Sequence, residues 1–72
     1  MTKTQLEYIV AVDNYKSFIR ASEKMFVTQP TLSMQIKKLE EELGTTLFDR
    51  SKAPVATTEI GQKIIAQARN VI

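Results

Sequence analysis

The sequence contains no cysteine and no histidine. Without cysteine there is no disulfide framework, no thiolate nucleophile and no thiolate metal site. Without histidine the commonest general base and the commonest zinc ligand are both missing. Any metal site would have to be all-oxygen, and no spacing of acids resembles a calcium-binding loop. The expectation is therefore no catalytic residue, no metal and no cofactor. Two glycines and two prolines in 72 residues argue against low complexity. No stretch approaches the roughly 18 apolar residues of a membrane span. Met1-Thr2-Lys3-Thr4 leads into no unbroken apolar run, which argues against a signal peptide. The expected location is the cytoplasm, with no membrane partner. A chain of 72 residues makes one domain, which buries only about 60% of its unfolded surface, so function belongs on the surface rather than in a deep cleft. The net charge of +2 is too small to name a partner by itself, and the placement of the charges has to decide.

Apolar residues recur with a period near 3.6 in four blocks. The first spans about Thr4 to Asp13, with Leu6, Ile9 and Val10 as its stripe, Thr4 and Glu7 as a capping box, and Asn14 as a left-handed stop. The second begins after Ser17, a good N-cap, and places Phe18, Ala21 and Met25 on one face. The third has Thr28 as N-cap, Pro30 in the first turn, the stripe Leu32, Ile36, Leu39 and Leu43, and Gly44 as its stop. Short apolar pieces at Leu47 to Arg50 and Val55 to Thr57 then flank Ser51-Lys52-Ala53-Pro54 and predict a small two-stranded tip, its second strand at an edge because of Pro54. Thr58 caps a fourth helix bearing Ile60, Ile64, Ile65, Ala68, Val71 and Ile72, and the sequence ends inside that periodicity, as a cut within a longer protein would. The aromatic residues, Tyr15 and Phe26 included, are expected in the core.

The second and third helices are separated only by Phe26, Val27 and Thr28, a helix-turn-helix pattern. At about 100° per residue the core side of the third helix centres on Leu32, Ile36 and Leu39. The opposite face of its first turns then carries Gln29, Pro30, Thr31, Ser33, Met34, Lys37 and Lys38, with no acid. Amides and hydroxyls read base edges, lysine suits phosphate or guanine, and methionine can meet thymine methyls. Glu40, Glu41 and Glu42 follow and would be repelled by phosphate, so the far half of the helix should point away from a duplex. The plain alternative is a solvated face with Lys37–Glu41 and Lys38–Glu42 pairs, although lysine before glutamate is the weaker order. Arg50 and Lys52 flank the tip and suit a phosphate backbone or minor groove, or a solvated turn equally well. Ser17, Arg20 and Thr28 sit at or near helix N-termini, where phosphate contact and capping are compatible. Two readings follow: sequence-specific binding of double-stranded DNA, or a winged-helix module for protein interaction or dimerisation. No nucleophile–base pair can be assembled, so an enzyme is not expected.

The run Val27-x-Gln29-Pro30-x-Leu32-Ser33-x-Gln35-Ile36, then Leu39-Glu40-x-x-Leu43-Gly44, Leu47-Phe48-x-Arg50 and Thr58-x-x-Gly61, resembles the signature of the LysR-type transcriptional regulators. The resemblance covers nearly the whole chain. It implies a mostly α fold, a winged helix-turn-helix over residues 1–58, and over 59–72 the start of a linker helix that pairs two chains. It also implies a homodimer or tetramer of the full-length protein, and an effector bound by a C-terminal domain beyond this sequence. On this resemblance Gln29, Pro30, Thr31, Ser33 and Met34 face the bases. Thr28, Arg20, Lys37 and Arg50 lie near the DNA backbone, and Lys52 and Ala53 reach the minor groove. Met34 stands where many members carry arginine, which removes a bidentate guanine contact, and many members have a larger apolar residue at Thr57. Leu6-Glu7-Tyr8 and Gln67-Ala68-Arg69-x-Val71 further resemble the hydrogen-peroxide-sensing branch of the family.

Overall fold

Residues 1–71, described by a computed structural model, run α1 (Lys3–Tyr15), α2 (Phe18–Met25), α3 (Gln29–Leu43), β1 (Phe48–Asp49), β2 (Ala56–Thr57) and α4 (Glu59–Val71). This is the expected mostly α winged helix-turn-helix followed by a helix. The three-residue turn between α2 and α3 falls where the sequence places it.

The start of α1 differs from expectation. Its capping box is formed by Thr2 and Gln5, not Thr4 and Glu7. The Thr2 hydroxyl accepts from the Gln5 amide and the Gln5 side chain accepts from the Thr2 amide, each at 3.0 Å. Gln5 can serve because it is itself buried, its side-chain amide donating to the Gln35 side chain at 3.4 Å. The helix also runs past Asn14, and Lys16 takes the left-handed turn at φ 52°. Tertiary contacts hold Lys16 there. Its Nζ donates to Asp13 at 2.7 Å and Thr57 at 3.1 Å, and its carbonyl accepts from the Val55 amide at 3.2 Å.

The core is built as the periodicity requires. Ile9, Val12, Ala21, Leu32, Ile36, Leu39 and Leu47 are fully enclosed, and Phe18 meets Phe48 edge-on with ring centroids 5.9 Å apart. Leu43 is the last residue of α3 and is exposed. Two aromatic expectations fail. Tyr15 is partly exposed, and Phe26 is 93% exposed with φ at 59°. Helix α2 ends at Met25, so Phe26 leaves the inner stripe and Val27 packs against the core in its place.

In the wing Phe48 pairs with Thr57 and Asp49 with Ala56, antiparallel. The second strand is shorter than Val55 to Thr57, because the Val55 amide is spent on the Lys16 carbonyl rather than on the hairpin. Thr58 caps α4 as expected, accepting from the Gly61 amide at 3.0 Å. One expectation for α4 needs correction. Ile65 and Ala68, assigned to a chain-pairing face, are 2% and 3% exposed in the domain's own core and cannot meet a second chain. The inner face of α4 packs on α1, which leaves Ile60 and Val71 outward and Ile64 partly covered. Ile72 lies outside the described residues. Asp13 ties this layer to the wing: its carboxylate accepts from Lys16, from Thr57 at 2.6 Å and from Arg69 of α4 at 2.6 Å.

Candidate nucleic-acid interface

The first turns of α3 stand clear of the scaffold. Gln29, Pro30, Thr31, Lys37 and Lys38 are exposed, Met34 is half-exposed, and Ser33 is intermediate. An open groove of about 530 Å³ runs from the start of α2, past Gln29, to the wing tip. Its walls include Ser17, Arg20, Gln29, Arg50, Lys52 and Ala53. The fold thus brings together residues that the sequence assigns separately to α2, α3 and the wing. The groove's lining also includes Lys16 and no carboxylate, while Lys16, Arg50 and Lys52 are ion-paired with Asp13, Glu40 and Asp49. The lining itself is basic, the setting that attracts anions.

The hydroxyls at the helix starts are differently engaged. Ser17 Oγ accepts from the Arg20 amide at 3.1 Å, which leaves its proton free. Thr28 Oγ1 accepts from the Thr31 amide at 3.3 Å but donates to Thr31 Oγ1 at 2.9 Å. The proton expected to reach a phosphate from Thr28 is therefore used within the helix. The proton of Thr31 is the one left for a partner.

The two lysines of α3 part company. Lys37 faces the wing in a second groove that also contains Glu40, Asp49 and Arg50. Lys38 lies on the other flank with Thr2, Gln35, Glu41 and Glu42. Each lysine shares its groove with two carboxylates, Lys37 with Glu40 and Asp49 and Lys38 with Glu41 and Glu42. Glu40, expected only to point away from a duplex, has a role inside the fold. Its Oε2 accepts from the amides of Leu47 at 2.7 Å and Phe48 at 3.3 Å, and its Oε1 pairs with Arg50 at 3.5 Å. It anchors the entry of the wing.

Two carboxyls titrate below the ordinary range. For Asp13, partial burial raises the pKa, but hydrogen bonds from Lys16, Thr57 and Arg69 outweigh it. For Asp49 the hydrogen bonds from the Ser51 hydroxyl and amide lower it, aided by Lys52. Both remain anions at neutral pH, and Asp49 stays beside Lys52 at 4.0 Å.

Three groups near this surface have no counterpart in the sequence-derived set. Lys16 reaches the groove only through the left-handed turn that ends α1, which periodicity does not reveal. Ile19 is 58% exposed in the groove wall, and an isoleucine outside the Phe18, Ala21, Met25 stripe was a readable signal. Asp13 is distant in sequence from two of its three partners, Thr57 and Arg69, so local spacing reveals only Lys16. Among the described residues no group of acids could hold a metal ion, and no helix is long and apolar enough to cross a membrane.

Residues 4–62 match the bacterial regulatory helix-turn-helix proteins of the lysR family. The whole chain is 47% identical to the hydrogen peroxide-inducible genes activator of Haemophilus influenzae and covers 24% of that protein. It is 44% identical to the DNA-binding transcriptional dual regulator OxyR of Escherichia coli, again over the whole chain and 24% of the relative. The chain thus spans about a quarter of the length of the curated relatives it matches. Among solved structures, the BenM DNA-binding domain in complex with benA site 1 DNA superposes with a TM-score of 0.96 at 42% identity, covering 99% of this chain and 80% of that one. A full-length OxyR variant from Pseudomonas aeruginosa gives 0.93 at 51% identity, covering 99% of this chain and 24% of that one.

Proposed function

The chain belongs to the lysR family of bacterial regulatory helix-turn-helix proteins, and from that premise we propose that it is the DNA-reading part of a transcription regulator. The observation that carries this reading is the carboxylate-free groove joining α2, the start of α3 and the wing. Helix α3 enters the major groove by its first turns, and Gln29, Pro30, Thr31, Ser33 and Met34 meet base edges. Ser17, Arg20 and Lys37 lie along the phosphates, Thr28 serves as the cap of α3 with its proton spent on Thr31, and Lys52 and Ala53 approach the minor groove. Lys38 adds its charge from the other flank of α3, beside Glu41 and Glu42.

Residues 1–58 form the reading unit, and 59–72 begin a linker helix whose inner face is still core. Its outward residues, Ile60 and Val71 with Ile64 between, are the ones available to pair two chains. A dimer then sets two recognition helices on half-sites about 10 bp apart. In the longer protein a C-terminal domain binds the effector, and the assembly is a homodimer or tetramer working in the cytoplasm. The identity to peroxide-responsive regulators supports the same signal here.

Binding to duplex libraries across a range of salt tests this directly. Affinity should fall steeply with salt as lysine and arginine displace counterions. A selected motif should be pseudo-palindromic. Replacing Gln29 by alanine should cost discrimination between the motif and random duplex more than it costs affinity for random duplex. Salt-independent binding, or an equal loss on both duplexes, would overturn the assignment.

A further inference from the structure

We propose that Arg50 is a positioning residue that polarises the Ser33 hydroxyl toward hydrogen-bond donation, and so biases one base position of the target against cytosine. The proposal rests on the DNA-reading role of α3 given above and adds the chemistry of one contact.

Arg50 leaves β1 at the base of the wing, and its guanidinium is already committed to protein groups. Nη1 donates to Ser33 Oγ at 2.8 Å, Nη2 lies 3.5 Å from Glu40 Oε1, and the guanidinium carbon sits 4.4 Å above the Phe18 ring. Phe18 is itself fixed edge-on by Phe48. Glu40 is fixed by the amides of Leu47 and Phe48. The arginine thus spans the wing, α2 and α3, held by an ion pair and a cation–π contact. It is better placed to orient Ser33 than to grip a phosphate.

A hydroxyl has one proton to give and two lone pairs to receive. A free serine can rotate to serve either purpose, which is why serine alone discriminates bases poorly. Here a cationic donor takes one lone pair of Ser33, which leaves the proton and one lone pair, and its pull on the oxygen strengthens the proton as a donor and weakens the remaining lone pair as an acceptor. Ser22, on the preceding helix, shows the usual internal outlet: its hydroxyl donates back to the Ile19 carbonyl at 2.7 Å. Among the described residues Ser33 Oγ donates to no such acceptor, which leaves its proton for a partner. A donor of this kind fits purine N7, guanine O6 or thymine O4. It finds no acceptor on the cytosine edge, where the N4 amino group is itself a donor.

The test compares the chain with its Arg50→Lys, Arg50→Met, Ser33→Ala and Ser33→Ala/Arg50→Lys variants, each selected on one randomised duplex library and titrated with salt on random duplex. Lysine keeps the charge but cannot span Ser33, Glu40 and the Phe18 ring together. Arg50→Lys should relax the preference at a single base position by roughly fivefold, admitting cytosine. Ser33→Ala should relax the same position, and the double variant should be no worse than Ser33→Ala alone. The salt slope should fall by less than about one ion in Arg50→Met, because the guanidinium is held by Ser33, Glu40 and the Phe18 ring rather than by a phosphate. Wild-type preference retained in Arg50→Lys would overturn the proposal. So would a slope reduced by about one ion in Arg50→Met, the mark of a phosphate clamp. If Arg50→Met does not fold, the positional preference in Arg50→Lys and its double variant decides alone. A wild-type chain that binds DNA with no preferred sequence would overturn this inference and leave the weaker reading of general DNA binding. A chain that does not bind would overturn both.

Discussion

Gly61 offers the sharpest test of how α4 is seated on the wing. A Cβ at this position would overlap the carbonyl oxygen of Leu47 and lie 3.0 Å from Thr58 Oγ1 and 3.1 Å from Thr57 Cγ2. That carbonyl is not free to retreat, since it accepts from the Thr58 amide at 2.9 Å and from the Thr58 hydroxyl at 3.2 Å. Overpacking of this kind costs about 1–3 kcal/mol, and loosening one of the displaced hydrogen bonds costs about 1 kcal/mol more. Against this, alanine is the better helix former by about 1 kcal/mol. Gly61→Ala should therefore lose about 1–3 kcal/mol in urea titration, and Tm should fall by about 4–8 °C for each of those kcal/mol. Gly44→Ala is the comparison. No atom lies within 4 Å of its Cβ, but φ is +67°, so only the conformational cost of about 1–2 kcal/mol applies. Because the wing must shift in Gly61→Ala and not in Gly44→Ala, only the former should also weaken DNA binding. A Gly61→Ala chain as stable as wild type, or more so, would refute the close approach of α4 and wing.

Phe26→Asn should stabilise the chain by roughly 0.5–1 kcal/mol in thermal or urea melts, since asparagine tolerates the left-handed turn and almost no burial is lost. An unchanged or lower Tm would show that Phe26 packs on something. Asp13 is lowered below its usual value of 3.8, so its contribution to stability is complete above that value and is lost as pH falls through the lower folded-state value. Urea melts from pH 6 down to pH 2 should show this loss, and Asp13→Asn should remove that component of the pH dependence. A pH profile identical in wild type and variant would contradict the node that joins Lys16, Thr57 and Arg69. Ile60→Asp should reduce self-association in sedimentation without lowering Tm by more than about 0.5 kcal/mol equivalent, whereas Ile65→Asp should unfold the domain by burying an unpaired charge.

The sequence was legible where physics is local. Thr28, Pro30 and Gly44 bracket α3 because a cap, a first-turn proline and a left-handed stop each act within a few residues. The turn of Phe26, Val27 and Thr28 and the stripe of Leu32, Ile36 and Leu39 follow from the same rules. The departures arise where distant groups intervene. Lys16, not Asn14, ends α1 because Asp13, Thr57 and Val55 hold it. Ile65 and Ala68 shared one apolar helix with Ile60 and Val71, and periodicity alone could not say which part α1 would cover. The outward set Gln29, Thr31 and Met34 was likewise visible from helical phase. The engagement of Ser33 by Arg50, and the diversion of the Thr28 proton to Thr31, depend on side-chain contacts that spacing does not encode.

Amide shift mapping by NMR on addition of a selected duplex tests most directly which surface meets DNA. The largest changes should fall on Ser17 to Arg20, Gln29 to Lys37 and the wing tip at Ser51 to Ala53, with Glu41, Glu42 and the outer face of α4 unmoved. Changes centred on Ile60, Ile64 and Val71, with the start of α3 silent, would contradict DNA reading by that helix.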